Sequence, residues 1–168
     1  MRLFVAINFS NDIRAKLSAL CDELRATSVR GSFSAPENLH LTLAFLGECD
    51  SEQADYAIAA LDLVDLEPFE IVFDRVGRFR RSGEELWWVG PRESKPLLSL
   101  QSDLCVKLAA VGFTLERRKF SPHITLGRRV VTNVKPYTIK PFGETVRAID
   151  LMKSERINGK LTYTRVHI

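Results

Sequence analysis

The segment ENLHLTLAFLG, Glu37 to Gly47, is echoed later in the chain by FSPHITLGR, Phe120 to Arg128. Each phrase carries a histidine, an apolar residue, a threonine and a leucine in that order, and the two histidines stand 83 positions apart, about half the chain. In the first phrase Leu39, Leu41, Leu43 and Phe45 share one parity, and His40, Thr42 and Ala44 share the other. A period of two marks a β-strand, on which residues i and i+2 point the same way. His40 and Thr42 therefore lie on one face, as do His123 and Thr125. Leu41, Leu43, Ile124 and Leu126 form the opposite faces and anchor each strand to a core. Strict alternation also puts Phe45 in that core. Polar side chains projecting from an apolar strand need water or hydrogen-bond partners.

Outward from these phrases the pattern continues. RLFVAINF, Arg2 to Phe9, is nearly all apolar and reads as a central strand. Ser10 or Asn11 caps a helix in which Ile13, Leu17, Leu20 and Leu24 recur at helical spacing, ending near Thr27. VRGSFSAPEN, residues 29–38, reads as a connection rich in Gly, Ser and Pro. Asp50 and Gln53 have capping-box spacing for a short helix through Ala54, Ile58 and Leu61. FEIVFDRVGRF and ELWWVG predict two strands about a turn at Ser82-Gly83. A helix marked by Leu97, Gln101, Leu104, Leu108 and Val111 follows, capped by Ser94 and stopped at Gly112. After the second phrase, VRAIDLMKSERI and LTYTRVHI predict two strands joined at Asn158-Gly159, a hairpin dipeptide. Each His phrase thus follows a helix in one of two similar halves. Residues 1–168 are expected to form a single α+β domain of two packed lobes with the His strands beside a central cleft.

The bulk properties set limits. No apolar run approaches the roughly 20 residues that span a bilayer, and the opening residues lack an export signal, with Asn8, Asn11 and Asp12 arriving too early. The expected location is cytoplasmic. Cys21, Cys49 and Cys105 are scattered and odd in number, against a disulfide framework or a thiolate zinc cage. Basic runs at Arg78–Arg81, around Arg117–Lys119 and at Arg128–Arg129 form a rim that attracts phosphate.

Two imidazoles and two hydroxyls facing one cleft suit transfer at phosphorus. With ordinary pKa values near 6.5, one ring can serve as base and the other as acid. Threonine hydroxyls donate to non-bridging oxygens whose charge grows in the transition state, and an arginine neutralises it. The scheme calls on no metal or cofactor. Metal binding is the thinner alternative, since Glu37 and Glu116, the nearest acidic residues, do not share the His faces. A G-x-S-x-G elbow and a Gly-rich phosphate loop are both lacking.

At this point the phrases HLTL and HITL resemble the paired His-x-Thr-x signatures of the 2H phosphoesterase superfamily. With APENLHLTLAFLGE, FSPHITLGR, the opening RLFVAI and the closing LMKSERINGKLTYTRV, the chain resembles the RNA 2′,3′-cyclic phosphodiesterases, historically called 2′-5′ RNA ligases, over essentially its whole length. The resemblance implies a bilobal fold with pseudo-twofold symmetry. It implies a metal-independent opening of 2′,3′-cyclic phosphate, on RNA or nucleotides, to a 2′-phosphate. By position His40 is the general acid on the leaving 3′-oxygen, His123 is the base that activates water, and Thr42 and Thr125 hold the non-bridging oxygens. Some members also join RNA ends reversibly through a 2′-5′ bond, and a non-catalytic RNA-binding module is the remaining alternative. Relatives often carry Trp where this chain has Phe33. The arginine after the second phrase maps to Arg128, whereas simple alternation from His123 puts Arg129 on the His face. Phe9, Phe33 and Trp88 are candidate base contacts, with Trp87 and Trp88 pointing opposite ways so that one at most faces ligand. Lys119, with Arg80 and Arg81, is a candidate for steering an RNA strand. His167 reads as structural.

Overall fold

The computed structural model describes residues 1–166, so His167 lies outside the described residues. The elements run β1 (Arg2–Ile7), α1 (Asn11–Ala26), β2 (Ser28–Phe33), a 3₁₀ turn (Pro36–Asn38), β3 (Leu41–Glu48), α2 (Ser51–Asp62), β4 (Phe69–Arg81), β5 (Glu84–Pro91), α3 (Lys95–Ala110), β6 (Ile124–Thr132), β7 (Tyr137–Val146), β8 (Asp150–Ile157) and β9 (Lys160–Arg165). The caps are those that the sequence signals. Ser10 and Ser94 accept from the backbone of Ile13 and Leu97 at the starts of α1 and α3, and Asp50 and Gln53 complete a capping box on α2. Two hairpins turn on left-handed pairs, Ser82-Gly83 and Asn158-Gly159.

The strands pair antiparallel in the order β7-β4-β5-β6-β3-β1-β8-β9, with β2 added along β6. This order is symmetric about its middle. β1, α1 and β3 of the first half correspond to β5, α3 and β6 of the second, and the outer strands β8 and β9 correspond to β4 and β7. β3 and β6 meet at one residue pair, Leu41 with Ile124, each the residue directly after a phrase histidine, and β2 runs from the first half along β6. The fold is the bilobal α+β arrangement, with helices outside and the sheet faces of both lobes flanking the seam.

The helices bury one face of the sheet. Leu3, Val5, Ile7, Leu41, Ile124 and Leu126 join Leu17 and Leu24 of α1 and Leu104 and Leu108 of α3 in one core cluster. Each helix also reaches the other half: α1 lies against β6 and β7, and α3 against β3. A second, smaller cluster of Phe4, Ala6 and Met152, with Tyr163 packed on it, sits on the opposite face.

Two strands carry little sequence signal. β2 lies where a connection is expected; it pairs only with β6, and its middle four residues are exposed. β7 contains Pro141 and Gly143, which weaken a strand reading, and it tolerates them at the end of the sheet order. Among the described residues, no helix is long and apolar enough to cross a membrane.

Candidate active site

The strands that follow the two histidines have matching local structure. Residues 41–45 and 124–128 show the same succession: buried, half-buried, buried, buried, exposed. The cause is a bulge at the same place in each. On β1, Ala6 pairs with Thr42 and Val5 with Ala44, so Leu43 is extra. On β5, Trp88 pairs with Thr125 and Trp87 with Gly127, so Leu126 is extra. A bulge adds one residue and reverses the parity beyond it. Helix side chains occupy the bulge carbonyls: Gln101 of α3 donates to Leu43 at 3.3 Å and the Cys21 thiol of α1 donates to Leu126 at 3.6 Å.

The reversal decides three placements. Arg128, not Arg129, lies on the face of His123, and its charge bears on both imidazoles. Arg129 takes a left-handed backbone, φ 52°, and points toward Glu84 at 3.9 Å. Phe45, expected in the core, is instead 60% exposed beside Phe4, in the position equivalent to Arg128. Phe33 pairs with Gly127 on the helix-packed face, where it lies against Gly31, Gly127 and Val130 with the Arg25 guanidinium of α1 at 5.2 Å. It is therefore removed from the base contacts. So is Phe9, which is 6% exposed and packs edge-on to Phe73 in the core.

The histidines are held alike. The ring Nδ1 of His40 lies 2.7 Å from the Asn38 carbonyl, and that of His123 lies 2.7 Å from the Ser121 carbonyl, two residues earlier in each case. A carbonyl only accepts, so Nδ1 carries the hydrogen and Nε2 is left for chemistry. The Nε2 of His40 lies 2.9 Å from the Thr42 hydroxyl, which donates to it. An aromatic ring stands edge-on to each imidazole, Tyr163 to His40 at 5.0 Å and Phe79 to His123 at 5.0 Å. Both imidazoles are held below their usual value. Burial is the first cause, working against the carbonyl hydrogen bonds that favour the charged ring. Arg128 adds to it at both rings, His123 and Arg14 add to it at His40, and Arg81 does so at His123.

Trp88 stays on the cleft side, directly opposite Thr125, with its indole over Gly77 and Gly90 and Phe79 at 5.4 Å. Trp87 points the other way, is fully buried, and donates from Nε1 to Glu85 at 3.1 Å. Lys119 is exposed in the segment between α3 and β6. Part of the basic rim is internally paired: Arg80 and Arg78 share Glu85, and Arg118 holds Glu116. Among the described residues no group of three or more His, Cys, Asp or Glu side chains is placed to hold a metal ion. The cysteines are free, and burial pushes the Cys21 thiol up to about 12, far from a reactive thiolate.

The sequence reading missed a cavity of about 270 Å³ beside His40, lined by Asn8, Arg14, Glu37, Met152, Tyr163 and Arg165. These residues come from β9, β8, the end of β1, α1 and the 3₁₀ turn, and no local motif joins them. One signal was available. Arg14 stands in the first turn of α1, where a cation opposes the helix dipole.

Two imidazoles close enough to feel one another, each with a threonine two residues on and with the Arg128 charge bearing on both, form a set of groups suited to acid–base transfer at phosphorus. The chain belongs to the 2H phosphoesterase superfamily, in its 2′-5′ RNA ligase-like branch: the 2′-5′ RNA ligase superfamily profile matches residues 5–167. It is 36% identical over 151 residues to the RNA 2′,3′-cyclic phosphodiesterase of Archaeoglobus fulgidus, covering 86% of this chain and 85% of that one. The fold superposes on Thermus thermophilus TT0787 with a TM-score of 0.85 at 29% identity, covering 99% of this chain and 96% of that one. Escherichia coli LigT, solved with 3′-AMP, gives 0.83 at 31% identity, covering 99% and 95%.

Proposed function

We propose that this protein hydrolyses the 2′,3′-cyclic phosphate of RNA or nucleotide ends to a 2′-phosphate without a metal. The observation that carries the reading is the matched seating of the two histidines, each pinned through Nδ1 to the carbonyl two residues before it. In the reaction, Nε2 of His123 takes a proton from water as the water oxygen bonds to phosphorus. The bond from phosphorus to the 3′-oxygen breaks, and His40, protonated at Nε2, delivers its proton to that oxygen. Thr42, Thr125 and Arg128 hold the non-bridging oxygens as their charge grows. Relatives named as RNA 2′,3′-cyclic phosphodiesterases support the same substrate class. Three free thiols fit a reducing, cytoplasmic compartment. The chain is read as one working unit, because each half supplies one of the two rings.

The test is turnover of a nucleoside 2′,3′-cyclic phosphate in excess chelator, with ³¹P NMR to identify the product. The expected result is retained activity and a 2′-phosphate. His40→Ala and His123→Ala should each lose about 10²–10⁴-fold in kcat, and the double variant little more, because the two act as a unit. A 3′-phosphate product, or activity that vanishes in chelator and returns with metal, overturns the reading.

A further inference from the structure

The two halves match in backbone but not in what faces the catalytic threonines. Opposite Thr125 stands Trp88, whose own partner on β4 is Gly77. Opposite Thr42 stands Ala6, whose partner on β8 is Asp150. An indole fills the second half over a glycine. The first half has a methyl group beside a carboxylate that accepts from Asn8 at 2.8 Å and from Arg165 at 3.1 Å. The 270 Å³ cavity beside His40 lies on this polar side.

That cavity does not end at the histidine site. Arg14 and Glu37 also line a second groove of about 390 Å³, bounded by Asn11, Ala15, Ser18 and Pro36 between α1 and the 3₁₀ turn. Each volume is near the lower end of the roughly 300–1,000 Å³ typical of small-ligand clefts. Arg14 is the divider between them. Its Nε is sealed from solvent and has no hydrogen-bond partner among the described residues. A guanidinium carries five donors, and a buried donor left unmade is costly. Glu37, which lines both cavities with Arg14, is held by Lys160 at 2.7 Å, while Asp150 is held by Arg165 and Asn8, and Glu144 by the Ser10 hydroxyl and amide. Arg14 forms no ion pair with any of them.

We propose that the two grooves are a track for an RNA strand end, resting on the function proposed above. The cavity beside His40 takes the nucleoside that bears the cyclic phosphate, Arg14 takes the phosphodiester linking it to the preceding nucleotide, and the groove along α1 takes that nucleotide. An RNA strand whose 3′ end is a cyclic phosphate continues from the 5′-oxygen of its last nucleoside, so its next anionic group falls one nucleoside away from the reacting phosphorus. Arg14 and His40 line the same cavity, whose volume of about 270 Å³ is on the scale of one nucleoside. The preferred substrate is then an oligonucleotide end rather than a mononucleotide.

The experiment compares kcat/KM for a mononucleoside 2′,3′-cyclic phosphate, a dinucleotide ending in one, and the same dinucleotide with an uncharged methylphosphonate linkage. Wild-type protein should favour the charged dinucleotide over the mononucleotide by about tenfold or more, the scale of one charge-assisted contact. The neutral linkage should forfeit most of that advantage. In Arg14→Gln the advantage should shrink, and removing the linkage charge should then cost little, while Arg14→Lys should restore part of it. Equal wild-type rates on mononucleotide and dinucleotide overturn the track. So does a linkage-charge effect of the same size in wild type and Arg14→Gln. If wild-type protein opens none of the three substrates, the reading beneath falls and the track with it.

Discussion

The charge of Arg128 bears on both imidazoles, in the same direction as burial does. The pH dependence of kcat/KM, which reports the free protein, follows from this. In the reaction proposed above, the acid His40 must hold a proton and the base His123 must not. As pH rises through the lowered value of His40, the acid is lost; as pH falls through the lowered value of His123, the base is lost. Both limbs therefore sit on the acid side of the usual 6.5, and so does the maximum. Their midpoints belong to the coupled pair rather than to either ring. Arg128→Gln removes a cation from both, so both limbs should move to higher pH, and loss of the proposed phosphate contact should lower kcat by about 10²–10³-fold. Arg129→Gln, with its side chain turned toward Glu84, should change kcat by less than about threefold and leave the profile in place. Steady-state kinetics from pH 4.5 to 9 on the three proteins checks this. A profile that Arg129→Gln shifts and Arg128→Gln does not would reverse the assignment.

At the scale of elements, the two bulges separate what was legible in the sequence from what was not. Alternation finds the His strands, the four-residue repeat finds their pairing, and helix caps mark α1, α2 and α3 nearly to the residue. Up to Leu43 and Leu126 the parity holds, so His40 shares a face with Thr42, and His123 with Thr125, as the alternation indicates. Past the bulges it fails, and Phe45 and Arg128 reach the cleft face against strict alternation. A bulge depends on how the partner strand pairs, and β1 and β5 are remote from β3 and β6 in sequence. The resemblance to the family named Arg128 where periodicity pointed to Arg129. Phe9 and Phe33 were misjudged for a related reason: an aromatic near a site in sequence can lie on either face of its sheet. The cleft floor gives a test at this scale. A Cβ on Gly77 would meet the Trp88 ring at 2.5 Å, and that ring packs on Phe79, which stands against His123. Gly77→Ala should cost about 1–3 kcal/mol in urea unfolding by overpacking and lower kcat by displacing the indole toward Thr125. Adding Trp88→Leu should recover much of the stability. Full additivity of the two changes would show that the ring and the glycine do not constrain each other.

The whole molecule joins two similar halves where β3 and β2 both pair with β6, and its helices cross the seam as well. Gln101 of α3 serves the bulge of β3, Cys21 of α1 serves the bulge of β6, and a single core cluster runs through both halves. With α1 against β6 and β7, α3 against β3 and the core continuous across the seam, the halves should unfold together. The chain supplies its own reporter, because Trp87 and Trp88 are its two tryptophans and both lie on β5 in the second half. Leu3 is fully buried on β1 of the first half. Leu3→Ala should cost about 2–5 kcal/mol from lost burial and the cavity left behind, which for a chain of this length lowers Tm by roughly 5–15 °C. Tryptophan fluorescence should report that loss in full and coincide with far-ultraviolet circular dichroism, since two-state unfolding gives every probe the same transition. A tryptophan transition that stays at the wild-type temperature while the dichroism splits into two steps would show that the halves are thermodynamically separate.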